Sequence, residues 1–186
     1  MTTVMTHAAL GLTLGQALRP ARCGPRYWLA CALLPVLPDA DVIGLPLGIA
    51  YGDLLGHRGL SHSLAFAAVL GLATALSMRW REGRGWPETR HLAMLFILLV
   101  ASHGPMDMLT NGGLGIALLS PFDAGRYFWD WRPILVSPIG LKNFLTPWGW
   151  AVIKTELFWF GPPIALLLAA TAIRRRIARK TCPASQ

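Results

Sequence analysis

Seven side chains able to bind a metal, His7, Asp39, Asp41, His57, His62, His103 and Asp107, are scattered through a chain made otherwise of long apolar runs. Ionisable groups inside such runs are costly to bury, and they usually mark function. Imidazoles and carboxylates without thiolates suit zinc first and manganese second. Seven candidates exceed what one tetrahedral ion needs, so two or more ions are expected. Cys23, Cys31 and Cys182 lack metal-type spacing and are given no role.

Spacing sorts these residues into three groups. His103-Gly-Pro-Met-Asp107 places a His and an Asp four apart on one helix face, as two ligands or as a ligand and its supporting partner. A satisfied pair inside a bundle is the alternative. Pro105 should distort that helix, and Asn111-Gly112-Gly113 marks where it ends. Leu37-Pro38-Asp39-Ala40-Asp41 carries two carboxylates that repel unless a cation neutralises them. Pro35 and Pro38 predict an extended break there, with both carboxylates pointing the same way. The blander reading has Asp41 capping a short helix and Asp39 solvated. The densest cluster is Gly56-His57-Arg58-Gly59-Leu60-Ser61-His62-Ser63, with Ser61 read as the N-cap of the following helix. A helix amino terminus, an Arg and two imidazoles suit phosphate and metal together. A loop contacting lipid headgroups is the alternative.

The elements that must position these groups follow from composition. The chain has 186 residues, 54% hydrophobic and only 14% charged, a balance that fits a polytopic membrane protein better than a soluble domain. The expected fold is all-α: a membrane bundle of about five embedded helices plus an interfacial aromatic segment. Candidate spans are Val4–Leu18, Tyr27–Gly48, Leu60–Met78, His91–Leu109 and Thr155–Ile173. The first lacks a basic n-region and a cleavage motif, so it is read as retained. One domain, 1–186, is expected, with 119–154 as an extracytoplasmic interfacial segment and 174–186 as a basic cytoplasmic tail.

The net charge of +8 could suggest nucleic acid, but its distribution argues against that. Arg19, Arg22 and Arg26, then Arg79, Arg81, Arg84 and Arg90, then Arg174, Arg175, Arg176, Arg179 and Lys180 gather at alternate span ends. The positive-inside rule then places the carboxyl terminus in the cytoplasm and the amino terminus outside. At ~1.5 Å per helical residue, His7, Asp39, His62 and His103 all lie ~18–26 Å from the basic band. Four residues from spans of alternating direction therefore share one outer layer, which favours a single site open to the outside. His91, beside Arg90, is too far away and is excluded. Tyr127, Phe128, Trp129, Trp131, Phe144, Trp148 and Trp150, with Arg126, Arg132 and Lys142, suit a headgroup-level lid or a platform for incoming lipid. An ordinary aromatic belt is the alternative.

Taken in order, Thr6-His7, Leu37-Pro38-Asp39-Ala40-Asp41, His57-Arg58-Gly59, Ser61-His62-Ser63 and His103 with Asp107 resemble the YdjM-like family of inner-membrane proteins, assigned as metal-dependent hydrolases. The resemblance runs from about Met5 to Ser120-Pro121-Phe122 and implies a multi-helix membrane protein with a metal centre. The His and Asp pattern is also distantly similar to that of zinc-dependent phospholipases C and P1-type nucleases. That second likeness is an analogy of pattern only.

Without a Gly-x-Ser-x-Gly elbow or a Cys nucleophile, the expected attacking group is metal-activated water. Arg58 and Asp41 are the candidate catalytic groups, Arg58 for a phosphoryl oxygen and Asp41 beside its ligand role. The expected function is a phosphoesterase or related hydrolase, acting on a membrane lipid or lipid-linked phosphate at the outer face of a bacterial cytoplasmic membrane. A metal or proton carrier, or a regulatory scaffold, is the alternative. A carrier would need polar residues continuing to the cytoplasmic side, and the inner halves of the spans hold almost none.

Overall fold

The computed structural model describes residues 1–21 and 23–181; Arg22 and Cys182, named above, lie outside the described residues, as do the side chains of Arg179 and Lys180. All regular structure is helical. The α-helices are α1 (Val4–Ala17), α2 (Pro25–Leu33), α3 (Leu64–Glu82), α4 (Trp86–Ala101), α5 (His103–Asp107), α6 (Leu141–Phe144) and α7 (Pro147–Thr181). Two 3-10 stretches, Leu37–Leu47 and Leu60–His62, complete the set. The described residues contain no strand, only isolated bridges joining Thr110 to Ile134 and Ile116 to Tyr127.

Helices meet where side chains are small. In α3 the buried residues Ala67, Gly71 and Ala75 recur every four residues, forming one flat stripe against α4. A Cβ on Gly71 would lie 2.5 Å from the backbone nitrogen of Ile97, so only glycine permits this approach. Gly11 and Gly15 do the same for α1 on α2: a Cβ at Gly11 would meet the Cys31 carbonyl at 2.2 Å. Tyr27 completes that contact by donating its hydroxyl to the Gly15 carbonyl at 2.6 Å. Between these pairs lies an apolar core of Tyr27, Leu34, Leu92, Phe96 and Leu99.

Helix ends depart from the expected spans in physically clear ways. The third span begins at Leu64 rather than Leu60, because Ser63, not Ser61, accepts the Phe66 amide as N-cap at 3.0 Å. The fourth span breaks at Ser102, and Pro105 sits in the separate turn α5. Among the described residues, one helix, Pro147–Ala178, is long and apolar enough to cross a membrane alone. A second span results if α2 and Leu37–Leu47 count as one element bent by 54°. At 14 and 16 residues, α1 and α4 reach only ~21–24 Å, short of a ~30 Å core. A five-span bundle therefore does not follow from helix length.

The basic clusters gather at one end of the bundle. Arg175 at the end of α7 bonds the Gln16 carbonyl of α1, His91 of α4 meets the Leu18 carbonyl at 2.7 Å, and Arg26 of α2 lies 4.0 Å from Glu82 of α3. The segment expected as a lid or platform packs against the rest of the chain. Ile116 and Tyr127 exchange both backbone hydrogen bonds at 2.9 Å, Ile134 is fully buried, and the Trp129 indole donates to the Pro105 carbonyl at 3.0 Å.

Candidate metal centre

At the opposite end, four chain segments deliver buried His and Asp side chains to one point. Pro35, Pro38 and Pro46 deny this stretch α-helical hydrogen bonds, and it winds as a 3-10 helix over Leu37–Leu47 instead of running extended. With three residues per turn, Asp39 and Asp41 diverge rather than point together. They grip opposite edges of the His62 ring: Asp39 Oδ1 lies 3.5 Å from Nε2, and Asp41 Oδ2 lies 3.1 Å from Nδ1.

Hydrogen bonding fixes which ring nitrogens face the centre. The Pro35 carbonyl, an acceptor only, lies 2.7 Å from His103 Nδ1, so that nitrogen carries the proton and Nε2 keeps its lone pair. Asp41 does the same for His62 through Nδ1. The two Nε2 atoms nevertheless lie 3.1 Å apart, and Asp39 Oδ1 is 3.4 and 3.5 Å from them. Two lone pairs and a carboxylate oxygen at such distances repel one another unless a cation, a metal ion or a shared proton, lies among them. The triangle has the size that zinc requires, because tetrahedral ligand bonds of about 2.0–2.1 Å set neighbouring donor atoms ~3.3 Å apart. Asp107 Oδ2, 3.9 Å from His103 Nε2, adds a fourth donor. Neither oxygen of Asp39, nor Oδ2 of Asp107, has any hydrogen-bond partner, although all are buried. The residues thus fit a divalent ion, and Asp39, His62, His103 and Asp107 form a buried cluster that could bind one.

The other expected ligands surround this set. Asp41 has both oxygens engaged, Oδ1 by His57 Nδ1 at 2.6 Å and Oδ2 by the Ser61 hydroxyl at 2.5 Å and the Arg58 amide at 3.1 Å. Asp41, His57 and His62 form a second possible metal group, but Asp41 and His62 are already bonded within it. His7 stacks on His103 with ring centres 3.9 Å apart, and its Nε2 lies 2.6 Å from the Thr2 hydroxyl. That hydroxyl and the Thr2 amide both donate to Asp107 Oδ1, at 2.7 and 2.6 Å. Arg58 is fully buried, held in a left-handed backbone conformation at φ 65°. Its guanidinium donates to the Gly112 carbonyl at 2.7 Å and the Thr110 hydroxyl at 3.0 Å, and lies 3.5 Å from Asp107 Oδ2. Gly113 leaves the space for it, since a Cβ there would sit 2.4 Å from Arg58 Nη1.

Sequence reasoning missed three contributors. Glu156, buried in α7, accepts the Thr3 amide at 2.6 Å and the Thr3 and Thr6 hydroxyls at 2.5 Å, fixing the strand of residues that presents Thr2 to Asp107. A lone carboxylate in the last apolar span is the signal that could have found it. Arg126, read as facing headgroups, instead lies 3.2–3.4 Å from six backbone carbonyls, including those of His57 and Arg58. Ser61 donates to Asp41 instead of capping the helix, a role that Ser63 takes.

Residues 1–178 match the family described as YdjM inner membrane protein. The chain is 39% identical to inner membrane protein YbcI of Escherichia coli (strain K12) over 178 residues, 95% of this chain and 100% of that relative. No solved structure matches the chain. The match takes in every element that builds the centre, from α1 to α7, and the chain is therefore a member of the YdjM family of inner membrane proteins.

Proposed function

We propose that the protein is a metal-dependent hydrolase, a phosphoesterase acting on a lipid or lipid-linked phosphate at the outer face of the cytoplasmic membrane. The carrying observation is the 3.1–3.5 Å triangle of His62 Nε2, His103 Nε2 and Asp39 Oδ1, whose mutual repulsion calls for a cation. A divalent ion held there, zinc ahead of manganese, supplies Lewis acidity toward a phosphoryl oxygen and a lowered pKa for water. Asp41 and the Pro35 carbonyl hold the two imidazoles in their ligating tautomers. His7, with a buried and unpartnered Nδ1, is the nearby imidazole left to accept a proton. Arg58, fully buried and engaged with Gly112 and Thr110, supports a positioning role at Asp107 ahead of direct contact with a phosphoryl group.

The opposite placement of the basic clusters supports five membrane-embedded helices with the centre outward and the carboxyl terminus in the cytoplasm. A carrier is less well supported, because the core between the centre and the basic end consists of Tyr27, Leu92, Phe96 and Leu99. The test is elemental analysis of detergent-purified protein, then product mass spectrometry after incubation with membrane lipids and lipid-linked phosphates. Stoichiometric zinc with release of a phosphate-bearing product is expected. Protein that takes up neither zinc nor manganese sinks the reading, and zinc without turnover reduces it to a metal-stabilised scaffold.

A further inference from the structure

A groove of about 410 Å³ leads from Asp39 to the surface of the protein. Its walls are apolar: Val4 and Met5 from the start of α1, Val42 beyond the aspartate pair, and Ile139, Leu141 and Phe144 from the segment around α6. Among the described residues Asp39 is the only carboxylate in the lining, and both its oxygens lack a hydrogen-bond partner. Thr3 also lines the groove, but its amide and hydroxyl are bonded to Glu156. The far wall is held in place by the Ser137 amide on the Met1 carbonyl at 2.9 Å and the Trp148 indole on the Val136 carbonyl at 3.0 Å.

We propose that this groove seats one hydrocarbon chain of a phosphate-bearing lipid, with the phosphate end at Asp39. The proposal rests on the metal-dependent reading above and adds the subsite that selects a substrate with a chain. Two arguments favour this occupant. The rim residues Val4, Met5 and Leu141 are 47%, 54% and 73% exposed, so the groove opens onto apolar surface that, in an inner membrane protein, is continuous with the bilayer. At its inner end, a phosphate and the Asp39 carboxylate are like charges that a divalent cation between them would reconcile, beside the Met1 amino group, which lines the same groove and lies 3.9 Å from Asp107 Oδ2. Chain and phosphate recognition are therefore separable: the walls take the chain without metal, and the phosphate requires it.

The experiment uses full-length protein in detergent, with dioleoyl phosphatidate, oleyl alcohol and glycerol phosphate as probes, read by native mass spectrometry and zinc content. Ile139→Trp and Leu141→Trp each fill the groove without touching a ligand residue. Excluding even two methylene groups from burial corresponds to about tenfold or more in affinity. Both variants should weaken dioleoyl phosphatidate and oleyl alcohol by at least that factor while zinc content holds. Chelation should weaken phosphatidate but leave oleyl alcohol bound, and glycerol phosphate should bind far more weakly than phosphatidate throughout. Equal binding of oleyl alcohol by wild type and both folded variants overturns the groove, whatever the metal result. Wild type that never takes up metal, yet loses oleyl alcohol on groove filling, overturns the metal reading and keeps the chain subsite. A change of particle mass from dimer to monomer in the variants makes the groove an interface between copies and also overturns the proposal.

Discussion

Two arginines lie buried at opposite ends of this molecule, and they are buried for different reasons. Arg84, 3% exposed, lies among the basic clusters and binds Glu82 at 2.6 Å and Glu88, carboxylates that are themselves about a fifth exposed. Arg58, fully buried, has a carbonyl, a hydroxyl and one carboxylate at 3.5 Å, and its Nε has no partner. Around Arg84 opposite charges meet directly, whereas around Arg58 two aspartates keep buried oxygens without hydrogen bonds. An interior stabilised only by its own contacts does not leave such capacity open, since each unmet buried group costs about 1–3 kcal/mol. The difference separates an end that anchors from an end arranged to receive something.

The sharpest way to break that contrast is to remove a converging atom. His62→Ala, His103→Ala and Asp39→Ala should each lower zinc affinity by more than ~100-fold, beyond the range for supporting residues. His91→Ala, at the basic end, should leave it unchanged. Competition with a chromophoric chelator measures both, and retained zinc in all three site variants would dissolve the distinction between the ends.

Replacing each arginine by Met comes next. Arg58→Met strips Asp107 of its guanidinium in a fully buried setting, and breaking such a pair costs about 3–5 kcal/mol. Arg84→Met releases carboxylates that can turn to water, for about 1 kcal/mol or less. Denaturant unfolding in detergent should show the larger loss for Arg58→Met. Equal losses would mean that Arg58 is no more than a second structural ion pair.

Asp41→Asn sharpens the comparison inside the centre itself. Asp41 binds His62 on the ring edge away from Asp39, so its effect on metal passes through the imidazole. A tenfold to hundredfold fall in zinc affinity is expected, about 1.4–2.8 kcal/mol, smaller than loss of a direct ligand. A fall as large as that of Asp39→Ala would make Asp41 a ligand too.

Much of this centre was legible before any coordinates, for a definite reason. Rare ionisable residues in apolar runs stand out, and counting helical rise from the basic bands put His7, Asp39, His62 and His103 in one layer. What sequence could not give was orientation. The aspartate pair was expected to point one way, and the local winding forced by three prolines set it to either side of His62. Ser61 and Ser63 are both good caps by type, and only the turn at Leu60–His62 decides between them. Apolar length located the spans but not the breaks inside two of them, at Ser102 and after Leu33. Glu156 stayed hidden because its partners, Thr3 and Thr6, lie 153 and 150 residues away in sequence.

Glu156 gives the last and smallest effect, because it acts two steps from the candidate metal centre. Its carboxylate holds Thr3 and Thr6; Thr3 fixes the backbone at Thr2; Thr2 occupies Asp107 Oδ1 and so turns Oδ2 toward the centre. Glu156→Ala leaves the buried amide and hydroxyl of Thr3 and the half-buried Thr6 hydroxyl without that acceptor and should cost about 1–3 kcal/mol of stability. Its effect on zinc should stay within about tenfold, since Asp39, His62 and His103 are untouched. Glu156→Gln should restore part of both, because an amide oxygen still accepts and the Thr hydroxyls can reverse their roles. A merely structural Glu156 would lower the unfolding midpoint and leave the zinc affinity of the folded protein at the wild-type value. Zinc affinity that falls with Glu156→Ala and rises again with Glu156→Gln would instead show that α7 reaches the centre through Thr3 and Thr2.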